Sequence, residues 1–319
     1  MYMFKYILKR IGLMLMTFVV IMVVCFVLLK LLPLPDEKTF GQDANIIKMQ
    51  REAMGYGKPI LVQFWMYLVN IFKYGNFGVG EQMYVGQPVA EVFASKLPPT
   101  ILVNVYSSLF SVPLGIALGI YAALRKNKWQ DHFVSTAVMI VVSVPSYIYA
   151  FLVQYIFCFK LQWFPFLMEP STDYLSWPVF YSLLPAVACL SFGSIAGYCR
   201  GTRAELTEVL TSEFMLLART KGLTKGQATV RHALRNAMVP IFPSIIGEFI
   251  SVLSGSLIIE NIFGIPGVGK LYITSINSQD YNFFMMISAF YTLIGLSAGI
   301  LVDISYGFID PRIRMGSRK

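Results

Sequence analysis

Six long stretches of this chain are almost free of charged residues, and they constrain its fold more than any other feature. Five contain no charge and lie between these residues: Arg10 and Lys30, Lys96 and Arg125, Asp131 and Lys160, Asp173 and Arg200, Asp280 and Asp303. The sixth, between Arg235 and Glu260, contains only Glu248. A hydrocarbon core about 30 Å thick is crossed by roughly 20 helical residues. The sequence therefore predicts an all-α membrane protein with six transmembrane helices near residues 9–32, 99–124, 133–158, 180–199, 237–259 and 283–306.

The amino-acid composition favours a membrane protein over a nucleic-acid-binding protein. Hydrophobic residues make up 56% of the chain and charged residues only 13%, whereas soluble domains carry roughly a quarter charged residues. The net charge of +9 is divided among short clusters between the apolar stretches, as membrane topology requires. The partner that this pattern predicts is the lipid bilayer, and no nucleic acid is expected.

The cysteines and histidines do not indicate a metal site. The four cysteines, at positions 25, 158, 189 and 199, lie in or beside apolar stretches and form no C-x-x-C pair. The two histidines, at positions 132 and 232, are isolated from each other and from the cysteines. We expect the cysteines to be small buried hydrophobic side chains, and we expect no metal, no bound cofactor and no catalytic residue in this chain.

Lysine and arginine residues predict the orientation in the membrane. Of the 26 basic residues, 17 lie in the N-terminal segment, the second-to-third connection, the fourth-to-fifth connection and the C-terminal tail. All four segments fall on one side if there are six spans, and basic flanks mark the cytoplasmic side. Both termini are therefore predicted to be cytoplasmic. The first span lacks an A-x-A-like cleavage site after it, so we interpret it as a retained anchor.

The predicted spans divide the chain into segments. Residues 1–33 form the first transmembrane helix, and residues 34–96 form an extracytoplasmic loop. Within that loop, residues 59–73 are apolar and aromatic but too short for a full crossing, which predicts a short interfacial helix; a seventh span is the alternative. Residues 97–308 form a core with five spans and a cytoplasmic hairpin at 203–236, and residues 309–319 form a cytoplasmic tail.

The basic hairpin carries clear helix signals. Ser212 is predicted to cap the first helix, and Glu213 suits its positive end. Phe214, Leu217 and Ala218 share one face. Arg219 and Lys221 suit the last turn, and Gly222 supplies the stop. Thr224 and Gln227, in capping-box spacing, begin a second helix. A prominent basic loop between spans indicates a site for a cytoplasmic partner, although two amphipathic helices lying on the membrane surface would show the same periodicity.

The residues Gly264–Lys270 match the phosphate-binding pattern G-x-x-x-x-G-K, but they are not expected to bind ATP. Leu271 follows instead of the Ser or Thr that holds Mg²⁺, and Pro266 lacks the amide N–H that a phosphate cradle would use. The loop is also predicted to be external. We expect the glycines of this segment, Gly264, Gly267 and Gly269, to form a tight turn between the last two spans.

Glu248 is the one acidic residue deep inside a predicted span, since Asp303 lies near the cytoplasmic end of the last span. An ionisable group at that depth faces the bundle interior and contacts a solute or a gate in some membrane proteins. The alternatives are a helix–helix hydrogen bond to a partner subunit, or a position near the water interface. We favour these alternatives, because no second acidic residue or histidine lies deep in another span.

Several short runs resemble the permease subunits of bacterial ABC importers for peptides, specifically the B-type subunit of oligopeptide and dipeptide permeases. They are Leu97–Thr100, Ser143–Ser146, Thr202–Leu206, Ala218–Leu223, Arg231–Ala237, Glu260–Phe263, Pro266–Gly269, Asp280–Tyr281 and Asp310–Arg314. The resemblance covers nearly the whole chain. It implies the type I ABC importer permease fold.

In that family the basic hairpin is the EAA-type coupling loop, which ATPase subunits grip. The resemblance assigns coupling to Glu213, Phe214, Leu217, Ala218, Arg219, Lys221 and Gly222. It implies a second permease subunit, two cytoplasmic ATPase subunits that bind ATP and Mg, and an extracytoplasmic peptide-binding protein. The pathway then lies between the two permeases. Glu248, Pro266, Gly267 and Gly269 are the candidate pathway or gate residues.

The chain departs from the family pattern at four places. The motif glutamate is replaced by Leu216, and the closing proline is missing, as is usual in the peptide branch. The family often has Trp at the position of Ile265 and an amide at that of Glu248. Oligopeptides are the predicted solute; dipeptides, glutathione and nickel are alternatives within the family. An ion-coupled secondary transporter is a rival that would need more ionisable residues inside the spans.

Overall fold

Helices make up nearly all of the regular structure in the part of the chain that the structure describes. The structure is a computed structural model and describes residues 2–32, 49, 52 and 55–309. The predicted tail after Ile309, the run Asp310–Arg314 and the first part of the predicted external loop lie outside the described residues. Two isolated β-bridges, Val79 with Pro88 and Gly80 with Val85, close a turn in the remainder of that loop.

The helices begin and end as follows. They are α1 (Tyr2–Leu31), α2 (Ile60–Tyr74), α3 (Val89–Leu124), α4 (Trp129–Ser143), α5 (Ser146–Val153), α6 (Trp177–Leu210), α7 (Glu213–Thr220), α8 (Lys225–Ala228), α9 (Leu234–Ala237), α10 (Ile241–Ser251), α11 (Leu257–Ile262), α12 (Val268–Asn277) and α13 (Tyr281–Ile309). Three irregular helical segments continue them: π-helical turns at Gln154–Lys160 and Thr229–Ala233, and a 3₁₀ turn at Val252–Ser254.

The predicted number of spans agrees with the helices. Five stretches are long and apolar enough to cross a bilayer: Ile7–Leu31, Val89–Leu124, Trp177–Leu210, Ile241–Ile262 and Tyr281–Tyr306. A sixth crossing results if α4 and α5 with its π-helical turn form one span. Two helices are longer than their predicted spans. Helix α3 begins ten residues before the predicted start, and α6 continues to the basic hairpin.

The third predicted span is broken in the middle. Its two halves, Trp129–Ser143 and Ser146–Lys160, meet at an angle of 99°. The break falls at Val144, whose φ of −93° and ψ of 124° are extended, and at Pro145. Proline excludes the preceding residue from the helical region and lacks an N–H of its own. Pro145 therefore divides this span into two helices.

One compact unit comprises Met1–Pro98 and Pro266–Ser297. In it α2 packs against α1 through Phe26, whose ring lies 5.3 Å from that of Phe64 and 5.9 Å from that of Tyr67. A second core joins the start of α3 to α12 and α13; its buried residues are Val89, Val92, Phe93, Val268, Leu271, Phe283 and Ile287. The short helix predicted at 59–73 is confirmed, ending at Gly75 with φ +62°. Its place at the membrane interface stays a prediction.

The second compact unit comprises Pro99–Ile265 and Ala298–Lys319, and α6 is its centre. Helix α6 contacts α4, α5, α10 and α11. It also lies very close to α3, since a Cβ added to Gly115 would come within 2.9 Å of the Ile195 carbonyl oxygen, and one added to Gly119 within 2.7 Å of the Cys199 carbonyl oxygen. As predicted, cysteines 158, 189 and 199 are buried, while Cys25 of the first unit is partly buried.

Candidate functional site

The basic hairpin predicted at 203–236 starts within α6, which runs to Leu210, and α7 begins after a two-residue turn. Ser212 precedes α7 but does not cap it, which corrects the sequence prediction. Its Oγ instead donates a hydrogen bond to the carbonyl oxygen of Val209, 2.6 Å away. Serine hydroxyls have this local alternative to capping, and here the tight turn out of α6 brings the carbonyl within reach. Glu213 occupies the first turn of α7, as predicted.

One face of α7 is packed onto the ends of the long helices. Met215 and Ala218 are buried and contact a cluster that contains Ala123 at the end of α3 and Leu206 near the end of α6. Three further alanines of the hairpin complete this cluster: Ala228, Ala233 and Ala237, all fully buried. Small side chains permit such close approach of helices, so α7 is held firmly against the second unit.

The opposite face of α7 is apolar and exposed. Phe214 is 42% exposed, Leu216 65% and Leu217 55%. The sequence placed Phe214, Leu217 and Ala218 on one face; in the structure Ala218 lies at its buried edge, and the two larger side chains point away from the core. Arg219 and Lys221 at the end of the helix are exposed. The helix therefore presents a small apolar surface with a basic end.

Gly222 ends α7 in the way that the sequence predicts. Its φ is +91°, in the left-handed region. The Gly222 N–H donates to the Arg219 carbonyl at 3.0 Å, and the Leu223 N–H donates to the Ala218 carbonyl at 3.4 Å. These two bonds form the Schellman arrangement. A Cβ at Gly222 would meet no atom within 4 Å, so the position requires glycine for its backbone angle and not for space.

The second half of the hairpin starts with the predicted capping box. The Thr224 hydroxyl accepts from the Gln227 N–H at 3.3 Å, and the Gln227 side chain accepts from the Thr224 N–H at 3.1 Å. Helix α8 then passes through the π-helical turn into α9. Val230 lies on the outer side of that turn and is 66% exposed.

An ion pair that the sequence analysis did not identify joins the base of the hairpin to α4. Two guanidinium nitrogens of Arg203 in α6 donate to the carboxylate of Asp131. Nε lies 2.5 Å from Oδ1, and Nη2 lies 2.8 Å from Oδ2. Asp131 is 1% exposed, and its Oδ2 also accepts from the Asn127 N–H at 3.0 Å. This carboxylate thus links the connection after α3 to the helix that leads into the hairpin. Because 72 residues separate the two partners, local pattern gives no signal of the pair.

Glu248 makes a contact within its own chain. The Ser194 hydroxyl of α6 donates to Glu248 Oε1 of α10 at 2.8 Å, and four residues away the Tyr198 hydroxyl donates to the Ser244 carbonyl at 3.1 Å. Glu248 is half-buried. The structure thus contains a helix–helix hydrogen bond with α6 of the same chain, whereas the sequence analysis favoured such a bond to a partner subunit or a position near the water interface, and both of these stay predictions.

The three other candidate pathway residues lie at the start of α12. Gly267 immediately precedes this helix with φ −96°, and Gly269 is buried in its first turn, while Pro266 is half-buried. The left-handed glycine of the segment is Gly264, with φ +65°. Because helix α11 comes before these glycines, they lack the preceding strand of a phosphate-binding loop. The turn between the last spans also includes α12, which the sequence analysis did not predict.

Two buried carboxylates were missed because they lie at the ends of the predicted spans. Asp280 is fully buried, and its Oδ2 accepts from three consecutive backbone N–H groups, those of Glu81 and Gln82 at 2.8 Å and of Met83 at 3.1 Å. Glu260 is fully buried and accepts from the Thr100 hydroxyl at 3.0 Å. The only sequence signal for these residues is the position of an acidic residue at the edge of an apolar stretch. Many exposed acidic residues have the same position, so the signal does not predict burial.

The fold of this chain resembles that of a chain in a solved ABC transporter. A crystal structure of an amino acid ABC transporter with histidines matches 69% of this chain and 94% of its own, with a TM-score of 0.51. At 20% sequence identity this likeness shows the fold alone. The fold is the type I permease fold that the sequence resemblance implied.

Family models then identify the chain more closely. The model of the binding-protein-dependent transport system inner membrane component matches residues 115–315, and the model of its N-terminal part matches residues 3–103. The chain therefore belongs to this family and is a multi-pass permease component of the bacterial inner membrane.

Curated relatives cover the full length. The glutathione transport system permease protein GsiC of Salmonella typhimurium is 31% identical over 315 residues, which is 98% of this chain and 99% of the relative. The dipeptide transport system permease protein DppB of Lactococcus lactis is 31% identical over 313 residues, 98% of this chain and all of the relative. GsiC of Escherichia coli is 30% identical over 315 residues, with the same coverage as the Salmonella protein.

Proposed function

We propose that this chain forms, with a second permease subunit, the membrane pathway of an ATP-driven oligopeptide importer. Two cytoplasmic ATPase subunits bind ATP and Mg and drive the cycle, and an extracytoplasmic binding protein delivers the peptide. Both termini and the hairpin lie on the cytoplasmic side. Alternating access follows when closure of the ATPases moves the hairpin as a rigid lever.

The two faces of α7 are the observation that supports this proposal. Met215 and Ala218 attach the helix to the ends of α3 and α6, so a push on it is transmitted to two long helices. Phe214 and Leu217 remain exposed on the other side. Short helices with exposed apolar anchors fit a groove on a partner, and burial of such anchors dominates helix-in-groove binding.

The choice of oligopeptide over other solutes rests on family resemblance and is tested by transport. The complete complex in proteoliposomes, with its binding protein outside and ATP enclosed inside, should accumulate a labelled tetrapeptide. Unlabelled tetrapeptide should compete better than a dipeptide or glutathione. The relatives named for dipeptide and glutathione transport make these two the alternatives, and stronger competition by either would replace the oligopeptide assignment. Accumulation driven by an ion gradient without ATP would contradict the proposal as a whole.

Coupling is tested separately with a double variant, Phe214→Ser with Leu217→Ser. It should assemble in the membrane but lose most transport-stimulated ATP hydrolysis, because both apolar anchors of the partner-facing surface are gone. Val230→Ser is the control, since Val230 is also an exposed apolar residue, at 66%, and lies in the same hairpin. Normal stimulation in the double variant would refute the coupling role of α7, whichever solute is transported.

A further inference from the structure

A polar cavity of about 590 Å³ lies beside α7 in the second unit. Its walls come from the connection after α3, the end of α6, one flank of α7 and the start of α8. Four basic side chains and one acidic side chain line it: Lys126, Lys128, Arg219, Lys225 and Glu213. We propose that this cavity receives an acidic segment of the ATPase subunit that α7 contacts. The inference rests on the proposed coupling role of α7 and adds the charge of the partner surface.

The cavity borders the surface of α7 that is proposed to face the ATPase subunit. Glu213, Leu216 and Arg219 line the cavity, and their spacing of three residues places them on one flank of the helix. Phe214 and Leu217, the exposed apolar anchors, lie beside that flank. The eight residues of α7 form a helix about 12 Å long. A partner groove that holds such a helix has a wall on each side of it, and the wall on this flank enters the cavity.

Most of the cavity belongs to the hairpin and not to the charge-free part of α6. The charge-free stretch of the fourth span stops at Arg200, and α6 continues to Leu210, which lines the cavity. At 1.5 Å per residue this extension is about 15 Å long. Most of the lining residues follow Leu210 in the chain. A cytoplasmic protein that holds the hairpin therefore comes within reach of the cavity.

The groups of the cavity that lack a partner are hydrogen-bond donors. The four basic residues are exposed, and none of them forms an ion pair within the described part of the chain. The hydroxyl of Thr207, which also lines the cavity, is buried without a hydrogen-bond partner among the described residues. A carboxylate accepts hydrogen bonds from ammonium, guanidinium and hydroxyl groups, and its bonds to the cationic donors are the strongest. An Asp or Glu side chain of the partner matches this set of donors.

The contact extends coupling beyond α7. Lys126 and Lys128 belong to the connection between α3 and α4, whereas Lys225 is the first residue of α8. These like charges repel one another across the cavity. An acidic side chain between them offsets that repulsion and ties the connection to the hairpin. Movement of the ATPase subunit then reaches α3 and α4 as well as α6.

The test is zero-length crosslinking of the complete complex with a carbodiimide. This reagent joins a lysine amine to a carboxylate only where the two groups are in contact, and mass spectrometry of the joined peptides identifies both residues. The cavity lysines Lys126, Lys128 and Lys225 should be joined to Asp or Glu residues of an ATPase subunit. None of these three lysines belongs to the exposed apolar surface of α7.

Three triple variants separate the effect of charge from that of position. Loss of the cavity charge should weaken binding of the ATPase subunits about tenfold or more, because a charged group in an interface loses its partner; this variant carries Lys126→Gln, Lys128→Gln and Lys225→Gln. Arginine at the same three positions should keep the affinity and abolish the crosslinks. The matched control removes as much charge at exposed residues outside the cavity and should bind as the wild type does; it carries Arg200→Gln, Arg231→Gln and Arg235→Gln.

Failure of this inference is distinguishable from failure of the coupling role. A photo-crosslink from position 217 to the ATPase subunit, with no carbodiimide crosslink from the cavity and full affinity in the glutamine variant, would overturn the inference alone. Absence of both crosslinks from an intact complex would contradict the coupling role as well. Crosslinks confined to Glu213 of the same chain would also overturn the inference. So would an anionic phospholipid that copurifies with the wild type and is lost from the glutamine variant while no crosslink to the ATPase subunit forms.

Discussion

Single buried polar side chains hold the irregular segments of both units in place. In the first unit, Asp280 binds three consecutive N–H groups of the turn at residues 81–83. In the second, the Gln154 side chain donates to the carbonyl oxygens of Phe166 at 3.0 Å and Ile262 at 2.8 Å. Backbone groups without a partner are costly away from water. These side chains therefore allow loops to fold back among helices without leaving such groups unpaired.

Asp280→Asn should destabilise the first unit by about 1–3 kcal/mol, because an amide oxygen accepts less strongly than a carboxylate and the amide nitrogen cannot accept at all. The measurement is thermal unfolding of the purified complex. Asp173→Asn is the control, since Asp173 is exposed and its Oδ1 accepts only the Leu175 N–H within the described residues. An unfolding midpoint for Asp280→Asn equal to that of the control would contradict this role.

Glu248→Gln should be tolerated. Ser194 donates to a carboxylate oxygen at 2.8 Å, and the amide oxygen of glutamine can accept the same bond while the cost of a charge in the span disappears. Uptake of peptide by the complete complex should keep its rate and its pH profile from mildly acidic to mildly alkaline conditions. Lost uptake with a normal yield of complex would make Glu248 a pathway or gate residue instead of a packing residue.

At the scale of elements, the hairpin is the best-defined part of the candidate site. Its direction depends on the reversal between α7 and α8, which the two hydrogen bonds around Gly222 close. The Arg203–Asp131 pair fixes the helix that leads into it. Each of these features lies in the second unit, and together they make α7 a rigid extension of that unit.

Gly222→Val should leave insertion intact but abolish stimulated ATP hydrolysis and transport. A β-branched residue at φ +91° costs on the order of 1–2 kcal/mol locally, and relief of that strain would redirect α7. Gly226→Val is the matched control: both glycines have open space around a Cβ, but Gly226 is not left-handed. Normal uptake by Gly222→Val, or equal loss in both variants, would count against the predicted role.

The features of the hairpin that depend on neighbouring residues could be predicted from the sequence. Contacts between residues far apart in the sequence could not. The stop at Gly222 and the capping box at Thr224 depend on residues within a few positions, so the sequence contains them. Ser212 was predicted to cap α7, but the turn out of α6 offered its hydroxyl a nearer carbonyl. The partners of Asp280 are almost 200 residues away, and no local pattern records them. Pro145 disfavours a continuous helix for local reasons, while the 99° bend depends on how the two halves pack.

At the scale of the whole molecule, the distribution of basic residues makes a prediction about sidedness. In a chain whose native cysteines are replaced, single cysteines at Ser171 and Asn277 should react with a membrane-impermeant maleimide from outside. Cysteines at Lys126 and Lys225 should not. All four positions are exposed, so reactivity depends on the side of the membrane and not on burial. External labelling of Lys225→Cys would contradict the six-span topology with cytoplasmic termini.

The central claim is that the exposed face of α7 contacts an ATPase subunit while the opposite face holds the helix to the membrane core. A photo-crosslinking amino acid placed at position 217 or at position 215 of the complete complex tests both halves of this claim on one helix. Leu217 is 55% exposed and Met215 is 4% exposed. Irradiation should join the residue at 217 to an ATPase subunit, and the residue at 215 should give no crosslink to that subunit. An intact complex that yields no ATPase crosslink from position 217, or yields one from position 215, would contradict the account.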